Sequence, residues 1–218
     1  RLRQALESVG SISPALAGRF EERVVPVCGD LGKAKLGLDE ATWRFLAHRI
    51  KSIYNNGAIV NYLFNYDKMR EVNVEGTNEL LRFAFEGNPK VFNHISTTFI
   101  FGWAVKDILF ETDSNQDLAL LDFGYSQTKW VSELIVEKAM KRGLDARIFR
   151  PALISPSVAG GGNNFDIAIR LFAFMINHGI GVNALNQVSL LPADVAANNI
   201  VAISGLEDSV NQTFHVTR

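Results

Sequence analysis

Apolar positions along the chain alternate between a spacing of two and a spacing of three to four, and each change of period marks an element. Residues 1–9 look like the end of an amphipathic helix. Arg23 to Val27 is a β-branched run that stops at Cys28-Gly29-Asp30-Leu31, which predicts a strand followed by a turn. Leu38 to Ile50 has helical spacing with Asp39 as its N-cap, and Ser52 to Tyr54 then reads as a buried strand ending at Asn55-Asn56-Gly57-Ala58. Tyr66 to Phe85 predicts one long helix, apolar at Met69, Val72, Leu80, Leu81 and Ala84 and stopped by Gly87-Asn88-Pro89.

The second half repeats the theme. Lys90 to Ile95 is a strand that ends in Ser96-Thr97-Thr98, and residues 102–122 show no period and are read as a loop. Gly124 to Arg142 is a helix with Gly143 as its stop, and Ala146 to Phe149 is a strand running into Arg150-Pro151. Gly160 to Asn164 reads as a flexible loop, followed by a strongly apolar helix over Asp166 to Asn177. A helix over Ala193 to Ile203, with Pro192 at its start, and a short strand over Phe214 to Val216 close the chain. Strands alternating with helices of this length predict an α/β fold, a doubly wound parallel sheet covered on both faces.

In such a sheet ligands bind beyond the carboxyl ends of the strands. Four segments fall there: Gly29-Asp30-Leu31, Asn56-Gly57-Ala58, Ser96-Thr97 and Pro151-Ala152-Leu153-Ile154. The glycines of the first two let a flat ring or a phosphate approach the backbone. Tyr125 and Lys129 stand one turn apart on one helix face, where an ammonium lowers the pKa of a phenol and makes it a proton donor usable near neutral pH.

Composition narrows the reading. A net charge of −1 over 218 residues argues against a nucleic-acid or anionic-membrane surface as main partner. Cys28 is the only cysteine, so no internal disulfide forms and a cytoplasmic setting is expected. No apolar run reaches the length that spans a bilayer. Asp113, Asp117 and Asp122 fit no calcium spacing, so no metal is expected. Cys28 is expected to be a packed, inert thiol, His94 a packed strand residue, and Trp43, Trp103 and Trp130 packing residues, with Trp103 a candidate for lining an acyl site.

Six stretches, in order, carry a resemblance: Arg23-Val-Val-Pro-Val-Cys-Gly-Asp-Leu31, Tyr54-Asn-Asn-Gly-Ala-Ile-Val-Asn61, Val72-Asn-Val-Glu-Gly-Thr77, His94-Ile-Ser-Thr97, Gly124-Tyr-Ser-Gln-Thr-Lys-Trp-Val-Ser-Glu133 and Phe149-Arg-Pro151. The chain resembles the extended short-chain dehydrogenase/reductase superfamily, and within it the thioester reductase domains of nonribosomal peptide synthetases, carboxylic acid reductases and aminoadipate reductases. The resemblance implies a Rossmann-like fold with a partial dinucleotide-binding domain over residues 1–154 and a partial substrate-binding region over 155–218. It implies that Thr97 hydrogen-bonds the substrate oxygen, that Tyr125 is the general acid, and that Lys129 holds the nicotinamide ribose and tunes the tyrosine. Asp30 and Leu31 would contact adenine, Gly57 and Ala58 would lie against the cofactor, and Pro151 would begin the segment beside the nicotinamide. Asn55 departs from the resemblance, since relatives commonly have His there, and a change in packing is expected.

The reaction so implied is NADPH-dependent release of an acyl or peptidyl group, held as a phosphopantetheine thioester on a carrier protein, as an aldehyde or, with a second hydride, an alcohol. Preference for NADPH over NADH rests on the resemblance alone. The family's Gly-rich phosphate-binding turn is absent from these residues, so the chain is expected to be a fragment, truncated before its first βαβ unit, that binds dinucleotide poorly by itself. Competing readings are a sugar-nucleotide epimerase or dehydratase, a fatty acyl-CoA reductase, and a non-catalytic carrier-docking module. The apolar stretch Ile167 to Ile176 favours a lipidic or pantetheinyl partner over a charged sugar.

Overall fold

The computed structural model describes residues 4, 7, 14–102, 106, 108–158, 167–181, 183 and 189–217. The helix expected over residues 1–9 lies outside them except at Gln4 and Glu7, as do Trp103 and the loop 160–164. Two compact units emerge. One comprises residues 28–152 and 199–216, the other the residues up to 27 together with 153–198 and 217–218.

The first unit is built on a four-stranded parallel sheet in the order β1-β2-β3-β6: β1 Ser52–Asn55, β2 Val91–Ile95, β3 Ala146–Pro151 and β6 Thr213–Val216. Its helices begin with α2 (Glu40–Ala47), where the Asp39 carboxylate accepts from the Thr42 N–H at 2.8 Å, as the capping residue type demands. Then come α3 (Tyr66–Arg70), α4 (Gly76–Phe85) and α5 (Gly124–Met140). All six residues of β3 are buried, which puts it at the centre of the sheet. By contrast β1 alternates, with Ile53 and Asn55 inward and Ser52 and Tyr54 exposed, so the strand read as buried is buried on one face only. Trp43, Ala47, Leu81, Phe83, Ala84, Phe92, Val136, Ala139 and Ile148 fill the space between sheet and helices. Trp43 packs edge-on against Phe83 at 4.8 Å and donates its indole N–H to Glu86 at 2.7 Å.

The helix expected over Tyr66–Phe85 is interrupted. Glu71–Glu75 forms a π turn between α3 and α4, with Asn73 buried at its centre. Such a turn takes in one extra residue, and here the hydroxyls of Thr77 (2.7 Å) and Ser132 (2.8 Å) both donate to the Asn73 carbonyl. Met69 stands before the turn, and Leu80, Leu81 and Ala84 beyond it keep helical spacing among themselves, which is why the sequence pattern shows a single helix.

In the second unit lie α1 (Pro14–Arg23), β4 (Leu153–Ser155) paired in parallel with β5 (Leu190–Pro192), α6 (Ile167–His178) and the start of α7 (Ala193–Ser204). Strands of three residues are too short to show a period, and the sequence pattern misses them. Two corrections concern its first segment. Arg23 belongs to α1, and residues 24–30 pair with no described strand, so the strand expected over Arg23–Val27 is absent. A strand exists only as part of a ladder. Pro26 supplies no N–H to one, and Val25 and Val27 remain exposed. Cys28 is likewise exposed and not packed.

Candidate active site

Parallel pairing fixes where the strands end together. Ile95 is in register with Phe149, and the Ser96 N–H donates to the Phe149 carbonyl at 2.6 Å, so Thr97 and Pro151 leave the sheet side by side at the carboxyl ends of β2 and β3. β1 ends beside β2, since Asn55 is in register with His94, and delivers Gly57 and Ala58 to the same edge. Leu31 reaches this edge from the turn after Gly29. A Cβ on Gly57 would lie 2.6 Å from Leu31 Cδ1, and one on Gly76 would lie 2.7 Å from the Leu31 carbonyl oxygen. Asp30 is exposed in that turn, its carboxylate accepting from the Gly32 N–H at 3.0 Å.

The helix α5 supplies the chemistry-bearing pair. Lys129 is 5% exposed, and its ammonium donates to the Ile95 carbonyl at 2.5 Å, two residues before Thr97. Burial pulls its pKa down to about 8, against the opposing pull of the Glu133 carboxylate. Thr97 is buried, and its Oγ1 accepts from the Phe99 N–H at 3.2 Å as the cap of the 3₁₀ turn Thr98–Phe101. Tyr125 stands in the first turn of α5, with its ring centroid 6.0 Å from that of Tyr62. All eight sequence-predicted residues, Asp30, Leu31, Gly57, Ala58, Thr97, Tyr125, Lys129 and Pro151, belong to the sheet unit.

Around this edge runs a buried polar network to which the sequence pattern assigns no role. The Asn73 side chain clasps Ile59 at both backbone groups, accepting from its N–H (2.7 Å) and donating to its carbonyl (3.0 Å), and it donates to Thr128 Oγ1 at 3.0 Å. Thr128 in turn donates to the Tyr125 carbonyl at 2.8 Å. The turn after β1 and the first turn of α5 are thereby tied together. Asn55 donates to Thr77 Oγ1 (3.0 Å) and to His94 Nδ1 (3.2 Å). An accepting Nδ1 belongs to a neutral ring, in keeping with the His94 pKa, which burial and then the nearby Lys129 charge hold well below the usual range.

A second cluster lies one turn further along the same face of α5. Arg150 and Glu133 are each 1% exposed and pair through two bonds, Nε to Oε1 at 2.9 Å and Nη2 to Oε2 at 3.0 Å. The remaining Arg150 Nη1 donates to the carbonyls of Glu111 (3.1 Å) and Asp113 (2.8 Å), and the guanidinium lies 5.2 Å from the Phe101 ring centre. The signal for this pair was present in the sequence as charges inside otherwise buried patterns, Glu133 on α5 and Arg150 in β3. Asp113 and Asp117 serve as turn acceptors, for the Phe110 and Ala119 N–H groups, and among the described residues no cluster of three or more His, Cys, Asp or Glu side chains is placed to hold a metal. In the other unit a cavity of about 320 Å³ is lined by Val158, Leu191, Pro192, Val195 and Thr217. Among the described residues no helix is long and apolar enough to cross a membrane.

Residues 1–200 match the profile of the NAD-binding family described as Male sterility protein. The chain belongs to this family. It is 34% identical over 198 residues to a linear gramicidin synthase of Brevibacillus parabrevis, a stretch covering 89% of this chain and 4% of that protein. It is 31% identical over 216 residues to the L-2-aminoadipate reductase of Penicillium chrysogenum, in its large subunit, covering 93% of this chain and 15% of the other. Among solved structures, the terminal R domain from the myxalamid PKS-NRPS biosynthetic pathway superposes with a TM-score of 0.91 at 34% identity, over 99% of this chain and 55% of that one. The chain thus spans about half of that solved domain and a small part of the two relatives. It shares with the domain a parallel Rossmann-like α/β fold of the extended short-chain dehydrogenase type.

For a member of an NAD-binding family this edge is the candidate cofactor site, at the carboxyl ends of the parallel strands. Two turns, at Asp30–Leu31 and Gly57–Ala58, meet there, with the Leu31 side chain packed against Gly57, and one buried amine stands at the end of β2.

Proposed function

We propose that the intact protein reduces a carrier-bound acyl or peptidyl thioester to an aldehyde with NADPH, in the cytoplasm. One observation carries the reading: the buried Lys129 ammonium rests on the Ile95 carbonyl, on the helix face of Tyr125 and at the end of the strand that leads to Thr97. Similarity to an aminoadipate reductase and to a terminal R domain supports a thioester as substrate and a phosphopantetheine-bearing carrier protein as partner. The same relatives weigh against a sugar-nucleotide epimerase.

In this reading the nicotinamide supplies hydride to the thioester carbonyl carbon. Thr97 and Tyr125 would donate hydrogen bonds to the oxygen as its charge grows, and Tyr125 would deliver the proton. The C–S bond of the thiohemiacetal then breaks, the O–H proton is lost, and the aldehyde and the phosphopantetheine thiol are released. With a pKa of about 8, Lys129 is mostly protonated at neutral pH, so it would meet the ribose hydroxyls and the phenol as a cation. Asp30 and Leu31 would hold the adenine, Gly57 and Ala58 would lie against the cofactor, and Pro151 would begin the segment beside the nicotinamide. The substrate pocket is assigned to residues 155–218, where α6 is rich in apolar side chains.

The test is to incubate the intact protein with acyl thioesters on a carrier protein and follow nicotinamide absorbance and aldehyde formation, with NADPH and then NADH. Aldehyde formed faster with NADPH supports the reading. Absence of aldehyde with either nucleotide, across short, long and aminoacyl groups, contradicts it.

A further inference from the structure

Tyr62 lies in the segment between β1 and α3 and belongs to none of the motifs singled out in the sequence. Its ring is the hub of an aromatic cluster. It meets Phe123 edge-to-face with centroids 5.4 Å apart, Tyr125 at 6.0 Å and Phe99 at 6.1 Å. Those three rings come from the two elements that carry the hydroxyls of the candidate site. Phe99 belongs to the 3₁₀ turn whose N–H is held by Thr97 Oγ1, while Phe123 caps α5 and Tyr125 stands in its first turn.

The segment bearing Tyr62 is held close to α5 from two directions. A Cβ on Gly124 would fall 2.4 Å from the Asn65 carbonyl carbon and 2.6 Å from the Phe64 carbonyl oxygen, so the backbones touch at a position only glycine tolerates. Asn61 Oδ1 accepts from the N–H groups of Leu63 (2.9 Å) and Phe64 (3.1 Å), which folds the segment immediately after Tyr62. Edge-to-face packing has a preferred geometry as well as an area, so three such contacts on one ring fix its neighbours' orientation.

We propose that Tyr62 is a positioning residue that sets the separation of the Thr97 and Tyr125 hydroxyls by packing between the segments that bear them. The inference rests on the reductase reading for its effect on rate, and on packing alone for its effect on structure. A hydrogen-bonding pair aimed at one developing oxyanion is sensitive to placement, and a misplacement of about 1 Å costs about 10²-fold in rate.

The experiment compares Tyr62→Phe, Tyr62→Ala and wild type in the intact protein, by kinetics and by crystal structure. Tyr62→Ala is expected to lower kcat about 10²-fold while KM for the acyl thioester and Kd for NADPH stay near wild type, and Tyr62→Phe, which keeps the ring, to stay near wild type throughout. Crystal structures are expected to show the Thr97 Oγ1 to Tyr125 Oη separation changed in Tyr62→Ala and kept in Tyr62→Phe. Tyr62→Leu replaces Tyr62→Ala if the smaller side chain prevents folding. An unmoved Tyr125 in the truncated variant overturns the inference, as does a Tyr62→Phe loss equal to that of Tyr62→Ala. A wild-type protein without reductase turnover instead counts against the reductase reading, and the crystallographic comparison still decides the role of Tyr62.

Discussion

Helices α5 and α6 invert the usual relation between polarity and burial. α6 is the more apolar, yet Leu171 is 51% exposed, Phe174 52% and Ile176 79%. α5 is mixed in composition, yet it buries Ser126, Thr128, Lys129, Ser132 and Glu133. Each of those has a named partner: the carbonyls of Phe123, Tyr125, Ile95 and Asn73, and the Arg150 guanidinium. The difference teaches that a helix packed along a parallel sheet is buried by position, and that it tolerates these five polar side chains because each of them is hydrogen-bonded. Burial of this kind points to chemistry more than to stability.

Breaking the α5 network has graded consequences. The largest is expected at the ion pair, where Arg150→Met leaves the Glu133 carboxylate buried alone and should lower unfolding free energy by about 3–5 kcal/mol. Denaturant titration measures it, and the double variant Arg150→Met/Glu133→Leu should recover much of the loss.

Next comes Lys129. Its folded pKa of about 8 lies below the ordinary value, so between about pH 8 and about 10.4 the unfolded chain holds a proton that the folded chain has lost. Stability from this group therefore rises with pH across that window, by roughly 3 kcal/mol, and its full penalty is present below pH 8. Lys129→Met should remove that rise, seen as a flatter difference in unfolding free energy between pH 7 and pH 10.

Asn73→Ala should cost about 2–3 kcal/mol, because it strips the partners from both backbone groups of Ile59 and one from Thr128. Nucleotide affinity should fall with it, since the turn after β1 loses its tie to α5. Smallest of all, Leu171→Gln and Ile176→Lys on α6 should change stability by no more than about 0.5 kcal/mol, as expected of exposed positions. A loss of several kcal/mol there would show that the apolar face of α6 is covered, and the contrast with α5 would go.

Much of the fold is legible in the sequence where one period runs without interruption. β2, β3 and α5, with the caps at Asp39 and Gly143, follow from local pattern, because burial and turn chemistry act on the same few residues. What local pattern misses depends on distant partners. Arg23–Val27 has strand composition but no ladder, and the π turn at Glu71–Glu75 is held by Ser132, nearly sixty residues away. The grouping of Thr97, Tyr125 and Lys129 at one edge was legible through motif order, since strand ends and the following helix are adjacent by topology. The roles of Asn73, Arg150 and Tyr62 were not, because each acts by contacts with segments far along the chain.

The central claim is that the buried face of α5 places a proton donor at the end of β2 for reduction of a thioester. Single-turnover reduction of a carrier-bound acyl thioester by the Tyr125→Phe variant tests it most directly. The account predicts a rate lowered about 10²- to 10⁴-fold with NADPH affinity retained; a variant that forms aldehyde at the wild-type rate would contradict it.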